Sequence, residues 1–188
     1  MISGKMSKSH LFLEFLRPIA WTDIFDIWRE CEAWQRSWKE HWESRGFESW
    51  NEWRSTYIRP YHPETLDWSL YRIPDPTAAF PDVYGVPTDA WIRKAYGGET
   101  TRRLREIVDA PVIKENAKID AIKSNFPDST MLIGLLFRGD IVLLEGTHRA
   151  IALATWNPDT LFASQVTIAL AEWTKPELLR IGGDYKKK

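Results

Sequence analysis

The sequence predicts an α+β fold, in which a small mixed β-sheet with helices is joined to a tryptophan-rich helical annex. Apolar residues recur three and four positions apart between residues 24 and 57, a spacing typical of amphipathic helices. By contrast, 131–137 and 141–144 are apolar runs of strand length that flank a short turn. We expect residues 1–96 to form the annex, with a proline- and aromatic-rich loop packed on the core, and residues 97–188 to form the core.

Length and composition exclude several classes of protein. The 188 residues fit one domain, or a core domain with an annex, and the net charge of −1 gives no basic character for non-specific nucleic-acid binding. The single cysteine, Cys31, excludes an internal disulfide framework and a four-cysteine zinc site. Because no run of 18 apolar residues occurs and residues 1–10 lack the apolar stretch of a signal peptide, we expect a soluble, cytoplasmic protein with no membrane partner.

The annex is expected to begin with a short strand or helical turn at 10–16. Thr22 is a candidate N-cap, and it predicts one long helix to about Arg45, with Gly46 as the C-terminal stop. One face of this helix carries a stripe of apolar side chains, namely Ile24, Ile27, Trp28, Cys31, Trp34, Trp38 and Trp42.

A second helix is expected from a capping-box pattern at Ser49 and Glu52, and Pro60 ends it. The span 58–90 contains six prolines among aromatic residues, which excludes regular helix over most of its length. Within it, 68–73 alternates as a short strand does. The remainder is predicted to be a long ordered loop, either a lid over the functional site or a strap over the core.

In the second half, Arg138-Gly139-Asp140 is a tight-turn signal, which predicts that the two apolar runs beside it form a hairpin. The other elements expected here follow from capping residues, prolines and apolar spacing. They are a helical turn at 89–96, helices at about 100–108, 114–125, 148–156 and 174–180, and a strand at 162–170.

One stretch of the core carries residues suited to chemistry, namely Glu145-Gly146-Thr147-His148-Arg149. It lies between an apolar strand and an alanine-rich helix, so a strand-to-helix turn with a glycine at the bend is expected. The first N–H groups of a helix have no partner inside it and lie at the positive end of its dipole, which suits an anion. An arginine adds a two-pronged phosphate contact, and a histidine adds a donor or a proton acceptor.

The order of elements from 112 to 170, with this turn between a strand and an alanine-rich helix, resembles the core of the ParB/sulfiredoxin superfamily. That family carries an Asp/Glu-Gly-x-His/Arg-Arg signature at the same place, and the turn matches it position for position. The resemblance covers about a third of the chain and implies a protein that holds the phosphates of ATP, ADP or CTP. The candidate phosphate contacts that it implies are Gly146, Thr147, His148 and Arg149. Glu145 and His148 are the candidate catalytic residues, and Mg²⁺ is a candidate cofactor.

Two departures from the family narrow the expected activity. Sulfiredoxins place a reactive cysteine where this chain has Thr147, so reductase chemistry is not expected, and Cys31 on the tryptophan stripe is a poor substitute. Partition proteins carry a helix-turn-helix domain after the signature, whereas 39 residues follow Arg149, so no sequence-specific DNA binding is expected. The kinase interpretation survives, although its catalytic carboxylate lies outside the signature and has no assigned position.

The leading hypothesis is therefore a nucleotide- or phosphate-binding protein, which as an enzyme would transfer a phosphoryl group to a small molecule or hydrolyse a nucleotide. The alternative is a non-catalytic interaction module, whose tryptophan-rich half binds a protein partner or forms a homo-oligomer interface. Large aromatics at helical spacing mostly serve packing, so most of the stripe is expected to be buried. No Walker loop, GxSxG elbow or HExxH pattern is present, and the histidines show no metal-ligand spacing.

Overall fold

The computed structural model describes residues 13–182, and the strands in this span form one mixed five-stranded sheet. The strands are β1 (Glu14–Pro18), β2 (Trp68–Arg72), β3 (Ser129–Phe137), β4 (Asp140–Glu145) and β5 (Gln165–Glu172). Their order across the sheet is β1-β2-β5-β3-β4, with β3 and β5 parallel and all other neighbours antiparallel. Together with the helices, this sheet confirms the α+β fold class.

Helices account for most of the remaining regular structure. The α-helices within residues 13–182 are α1 (Trp21–Glu32), α2 (Arg36–Glu43), α3 (Trp50–Ile58), α4 (Pro76–Ala79), α5 (Asp89–Lys94), α6 (Leu104–Ile107), α7 (Pro111–Lys114), α8 (Ala117–Ser124) and α9 (Thr147–Ala154). Single 3₁₀ turns occupy Arg59–Tyr61, Pro63–Thr65 and Phe80–Asp82. None of these helices is long and apolar enough to cross a membrane.

The β3–β4 hairpin forms where the sequence predicts it. Arg138 and Gly139 have positive φ angles of 54° and 87°, which is the backbone conformation that a two-residue hairpin turn requires. β3 also pairs with β5 from Ser129 to Leu136. Because β2 pairs with the opposite edge of β5, the last of the described strands lies in the middle of the sheet.

The capping signals around α3 are confirmed. Ser49 accepts a hydrogen bond from the backbone N–H of Glu52 at 3.1 Å, and the Glu52 carboxylate accepts one from the backbone N–H of Glu48 at 2.9 Å. Gly46, expected where the preceding helix stops, has a φ of 83°. The first expected element, at 10–16, is a strand from residue 14, and its residues 10–12 lie outside the described span.

The single long helix expected over 22–45 is wrong, because α1 and α2 are separate helices. The break has a tertiary cause. Glu32, the last residue of α1, turns into the interior and pairs with Arg54 of α3. Gln35 then donates its side-chain amide to the carbonyl of Cys31 at 2.7 Å and closes the end of α1. The apolar spacing runs unbroken across this point, so no local pattern marks the break.

Two other expected helices also differ from the structure. The helix expected at 100–108 is reduced to the single turn α6, because Thr101 donates its hydroxyl to a backbone carbonyl at 2.5 Å instead of capping a longer helix. The segment 174–180 is not helical. There the hydroxyl of Tyr61 donates to the carbonyl of Leu179 at 2.7 Å and accepts its N–H at 2.9 Å, which fixes the backbone in another conformation.

The loop in 58–90 is a strap over the core. Tyr84 donates its N–H to the carbonyl of Ile141 at 2.9 Å, and its own carbonyl accepts the N–H of Leu143 at 3.0 Å. The loop thereby pairs with the outer edge of β4 and protects that edge from other strands.

The sheet crosses the boundary at 96 that the sequence suggested. β1 and β2 belong to the annex half, yet Trp68 of β2 pairs directly with Ala171 of β5. One cluster of buried side chains also runs through both halves and includes Trp53 of α3 and Ile151 of α9. The annex is therefore continuous with the core through the sheet as well as through buried contacts.

Candidate functional site

The turn between β4 and α9 has the geometry that the sequence predicts. β4 ends at Glu145, and α9 begins at Thr147 with Gly146 as its N-cap residue at a φ of 93°. A Cβ atom on Gly146 would lie 2.7 Å from Cδ2 of the buried Leu132. Both the backbone angle and the available space therefore require glycine at this bend.

The N-terminal end of α9 is suited to an anion. Gly146 has no side chain with which to cap the helix. The N–H groups of the first turn therefore receive no acceptor from the N-cap residue, and they lie at the positive end of the helix dipole. The residues of this turn, Thr147 and His148, line two cavities that flank it.

Arg149 is engaged inside the protein. Its Nη2 atom donates to both carboxylate oxygens of Glu145, at 2.7 and 2.6 Å. Its Nη1 atom donates to the hydroxyl of Thr130 and to the carbonyl of Met131. The guanidinium thus braces the end of β4 against α9 and β3. Direct contact of Arg149 with a phosphate stays a prediction, and its first role in this geometry is to hold the turn.

Glu145 is the buried partner in this pair. Its side chain is 12% exposed and that of Arg149 is 17% exposed. Burial raises the pKa of Glu145, and the positive charge of Arg149 opposes that rise. A carboxylate in this position depends on its arginine, because an ion left alone in a protein interior is costly.

A second buried ion pair lies in the annex, between Glu32 and Arg54. Arg54 donates to Oε2 of Glu32 through Nε at 2.9 Å and through Nη2 at 2.5 Å. The indole N–H of Trp50 donates to the same oxygen at 3.3 Å. Glu32 is 8% exposed and Arg54 is 5% exposed, so both charges are removed from water.

Aromatic rings enclose the Arg54 guanidinium and form what we call the aromatic box. The guanidinium carbon lies 4.7, 4.9, 3.9 and 4.9 Å from the ring centres of Trp28, Trp38, Trp53 and Tyr57. Cation–π attraction of this kind is strongest in desolvated sites. The box also has a cost, because the buried indole N–H groups of Trp28 and Trp53 have no hydrogen-bond partner in the described part of the chain.

Two cavities open where the annex faces the turn, and both are bounded by Glu32, Trp38 and residues 145–148. The first, of about 470 Å³, we call the ring cavity. Its aromatic lining consists of Trp38, His41, Trp53, Tyr57, Trp91 and His148. The second, of about 420 Å³, we call the lysine cavity, since Lys118 of α8 lines it. Each volume lies within the usual range for small-molecule sites.

The cations on the cavity walls differ in their partners. Arg54 and Arg149 are held by carboxylates, whereas Lys118 and Arg93 form no salt bridge within the described span. The Lys118 ammonium lies 4.7 Å from the centre of the Trp38 ring, and its partial burial lowers the pKa of Lys118. Because the arginines and the carboxylates neutralise one another, the charge that the lysine cavity presents to a ligand is the positive charge of Lys118.

His148 is a neutral side chain at physiological pH. Its imidazole packs edge-on against Trp91 at 5.7 Å between ring centres. Burial, with smaller contributions from the charges on Lys118 and Arg149, lowers the pKa of His148 to about 4. The imidazole therefore offers one donor and one acceptor to the cleft and no charge.

This depressed pKa predicts a pH-dependent stability. Because the folded pKa of about 4 lies below the ordinary value of 6.5, the unfolded chain binds the proton first as the pH falls. We expect the titration of His148 to lower the free energy of unfolding by about 2 kcal/mol as the pH falls from about 7 to about 5. Urea denaturation of the wild type and of His148→Gln across this range measures the effect. Parallel pH curves for the two proteins would contradict it.

The structure brings the five predicted turn residues together and adds residues that the sequence did not place beside the turn. Glu32, Trp38, Trp91 and Lys118 come from four separate helices and all line the cleft. Cys31 also lines the lysine cavity. Burial raises the pKa of its thiol, which disfavours the thiolate that a nucleophile requires.

A cluster of side chains arranged to hold a metal ion is absent from the described residues. Within residues 13–182, no group of three or more His, Cys, Asp or Glu side chains is placed to hold one. Glu32 and Glu145, the carboxylates on the walls of both cavities, are each already bound by an arginine. Mg²⁺ commonly binds through one or two carboxylates together with the phosphates of its ligand, so the Mg²⁺ that the family resemblance implies stays a prediction.

Comparisons with protein-family models, with curated proteins and with solved structures find no match to this chain. The resemblance to the ParB/sulfiredoxin superfamily accordingly remains an expectation that rests on the turn and its flanking elements.

Proposed function

We propose that the cleft between the annex and the turn at residues 145–149 binds a nucleotide or another phosphate-bearing small molecule. The observation that carries this proposal is that one helix N-terminus, at Gly146 to His148, forms a wall shared by both cavities. Backbone N–H groups and a helix dipole favour a phosphate at this point. The cavities on either side provide room for the rest of the molecule.

The division of labour among the turn residues follows from their contacts. The N–H groups of Thr147 and His148 serve as phosphate donors, and the neutral His148 imidazole adds a hydrogen bond. Arg149 positions these groups, since its guanidinium is bound to Glu145 and to β3. If the protein is an enzyme, phosphoryl transfer or nucleotide hydrolysis is the reaction that such a site serves, because positioning and charge neutralisation carry most of that chemistry.

Ligand binding to His148 variants tests the proposal. The affinities of the wild type, His148→Asn and His148→Asp for ATP, CTP and inorganic tripolyphosphate are measured by calorimetry, with thermal shift as a second readout. A ligand at about 100 times its Kd should stabilise the wild type by about 2.7 kcal/mol. His148→Asp should weaken binding by about tenfold or more, since a repulsion of about 1.4 kcal/mol corresponds to that factor. His148→Asn, the matched neutral change, should lose less affinity than His148→Asp.

The design separates loss of binding from loss of folding. An aspartate in the first turn of α9 is favoured by the helix dipole, and circular dichroism verifies that each variant is folded. Absence of binding of every ligand to the wild type at millimolar concentration would rule the proposal out.

A second candidate, the interaction module, is favoured by the exposed apolar side chains of the annex. Trp34 is 78% exposed, and Phe15 and Leu16 on the edge strand β1 are 58% and 46% exposed. The other stripe tryptophans pack into the annex, as expected for most of them. Sedimentation equilibrium distinguishes the candidates, because an oligomer interface predicts association that Trp34→Gln weakens while nucleotide has no effect.

A further inference from the structure

The ring cavity is built to receive a flat aromatic group. Five of its six rings are partly exposed, and three of these, Trp91, Tyr57 and His148, come from separate helices. Trp91 is supported from behind, since its ring lies 6.4 Å from that of the buried Tyr96 at an interplanar angle of 18°. Rigid, partly exposed rings of this kind form stacking platforms for a nucleobase, whose π-face every base provides.

The lysine cavity has a different chemistry. Its walls include Lys118, which has no carboxylate partner in the described span, and the hydroxyl-bearing residues Ser129 and Thr130. Thr130 is already bound by Arg149, which leaves Lys118 as the cation of this cavity without an ion-pair partner among the described residues. A lysine ammonium on a flexible stem is well suited to the oxygens of a phosphate chain.

The two cavities meet at the turn, beneath Trp38. This indole lies between two cations, with the Arg54 guanidinium carbon 4.9 Å from its ring centre and the Lys118 ammonium 4.7 Å from it. Trp38 and residues 145–148 belong to the walls of both cavities. A ligand that passed across the turn would therefore contact the ring cavity and the lysine cavity at the same time.

We infer that the ligand is a nucleoside di- or triphosphate that lies across the turn, with its base in the ring cavity against Trp91 and its terminal phosphates in the lysine cavity on Lys118. This inference rests on the proposed function and deepens it, because it states the class of ligand and its direction. In this orientation the first-turn N–H groups of α9 meet the middle of the phosphate chain. The annex supplies the base site, and the core supplies the phosphate site.

The experiment separates the two ends of the ligand. The affinities of ATP, CTP and inorganic tripolyphosphate are measured for the wild type, Trp91→Leu and Lys118→Met. Trp91→Leu should weaken the binding of the nucleotides by about tenfold, the contribution of one stacked base. It should leave the affinity for tripolyphosphate within about twofold of the wild-type value. Lys118→Met should weaken all three ligands by about tenfold, since each loses the same charge-assisted contact.

Matched controls exist for both changes. Lys123→Met removes a second lysine from α8 that lines neither cavity, and Trp156→Leu removes a partly buried tryptophan outside the cleft. Both controls should bind all three ligands as the wild type does. If Trp91→Leu does not fold, the wild type alone still decides, because a base site requires the nucleotides to bind about tenfold more tightly than tripolyphosphate.

The outcomes distinguish the two proposals. Binding of neither nucleotide nor tripolyphosphate to the wild type would overturn the proposed function together with this inference. Equal affinities of the wild type for nucleotides and tripolyphosphate, or an equal loss of both in Trp91→Leu, would overturn the inference alone. A selective loss of nucleotide in Trp91→Leu and a uniform loss in Lys118→Met would establish the orientation.

Discussion

Replacing Arg149 with methionine is expected to lower the free energy of unfolding by about 3–5 kcal/mol, the usual cost of removing one partner from a buried ion pair. The reason is that Glu145 loses both hydrogen bonds to its carboxylate oxygens while it stays almost out of solvent. Thr130 and Met131 lose their donor in the same change. Urea denaturation of Arg149→Met beside the wild type measures the loss.

The control is an exposed pair with the same spacing. Arg36 and Glu40 lie four residues apart in α2 at 2.7 Å, with side chains 91% and 61% exposed. Arg36→Met should cost less than about 0.5 kcal/mol, because exposed pairs contribute little. The double change Glu145→Met with Arg149→Met should recover much of the loss, since it removes both charges. If Arg149→Met were no more destabilising than Arg36→Met, the bracing role would be wrong.

This prediction also bears on how binding is tested. Arg149→Ala is expected to loosen the turn as well as to remove any ligand contact, so a loss of binding in this variant would have two explanations. Lys118→Met avoids this ambiguity, because Lys118 supports no ion pair within the described residues.

Replacing Arg54 with methionine is expected to have an effect of similar size, about 3–5 kcal/mol. Glu32 would be left buried with the single hydrogen bond from Trp50. The rings of the aromatic box would lose the cation that they enclose, at a cost of up to about 2 kcal/mol in a desolvated site. Chemical denaturation followed by tryptophan fluorescence reports both the stability and the environment of the box.

A neighbouring arginine provides the comparison. Arg59 follows α3 and is exposed, and its side chain donates to the hydroxyl of Thr56 at 3.1 Å. Arg59→Met should change stability by less than about 0.5 kcal/mol. The loss of stability in Arg54→Lys should fall between those in Arg59→Met and Arg54→Met, because lysine keeps the positive charge but lacks the planar guanidinium. A loss below about 1 kcal/mol for Arg54→Met would show that the box does not depend on its cation.

The parts of the fold that the sequence predicts are those governed by neighbours in the chain. The β3–β4 hairpin follows from Arg138-Gly139, and the start of α3 follows from Ser49 and Glu52. The break between α1 and α2 has no such signal. It depends on the pairing of Glu32 with an arginine 22 residues further along the chain, which apolar spacing does not reveal.

The candidate site likewise has parts that the sequence predicts and parts that only the fold reveals. The turn at 145–149 is one continuous segment, so its residue types and its flanking strand and helix sufficed to locate it. Trp91 and Lys118 lie on helices far apart in the sequence, and only the three-dimensional fold brings them to one cleft. The internal engagement of Arg149 was also invisible, because the same residue types describe a phosphate ligand and a buried brace.

The position of β5 in the sheet has a consequence for synthesis of the chain on the ribosome. Of the strands that the structure describes, β5 is the last to be made, at Gln165–Glu172, yet it is the strand that joins β1–β2 to β3–β4. Until it emerges, the nascent chain holds two separate ribbons, each with an unpaired edge that invites pairing with a wrong strand. The cleft, whose walls come from both sides of that joint, acquires its final shape only when the middle strand is inserted.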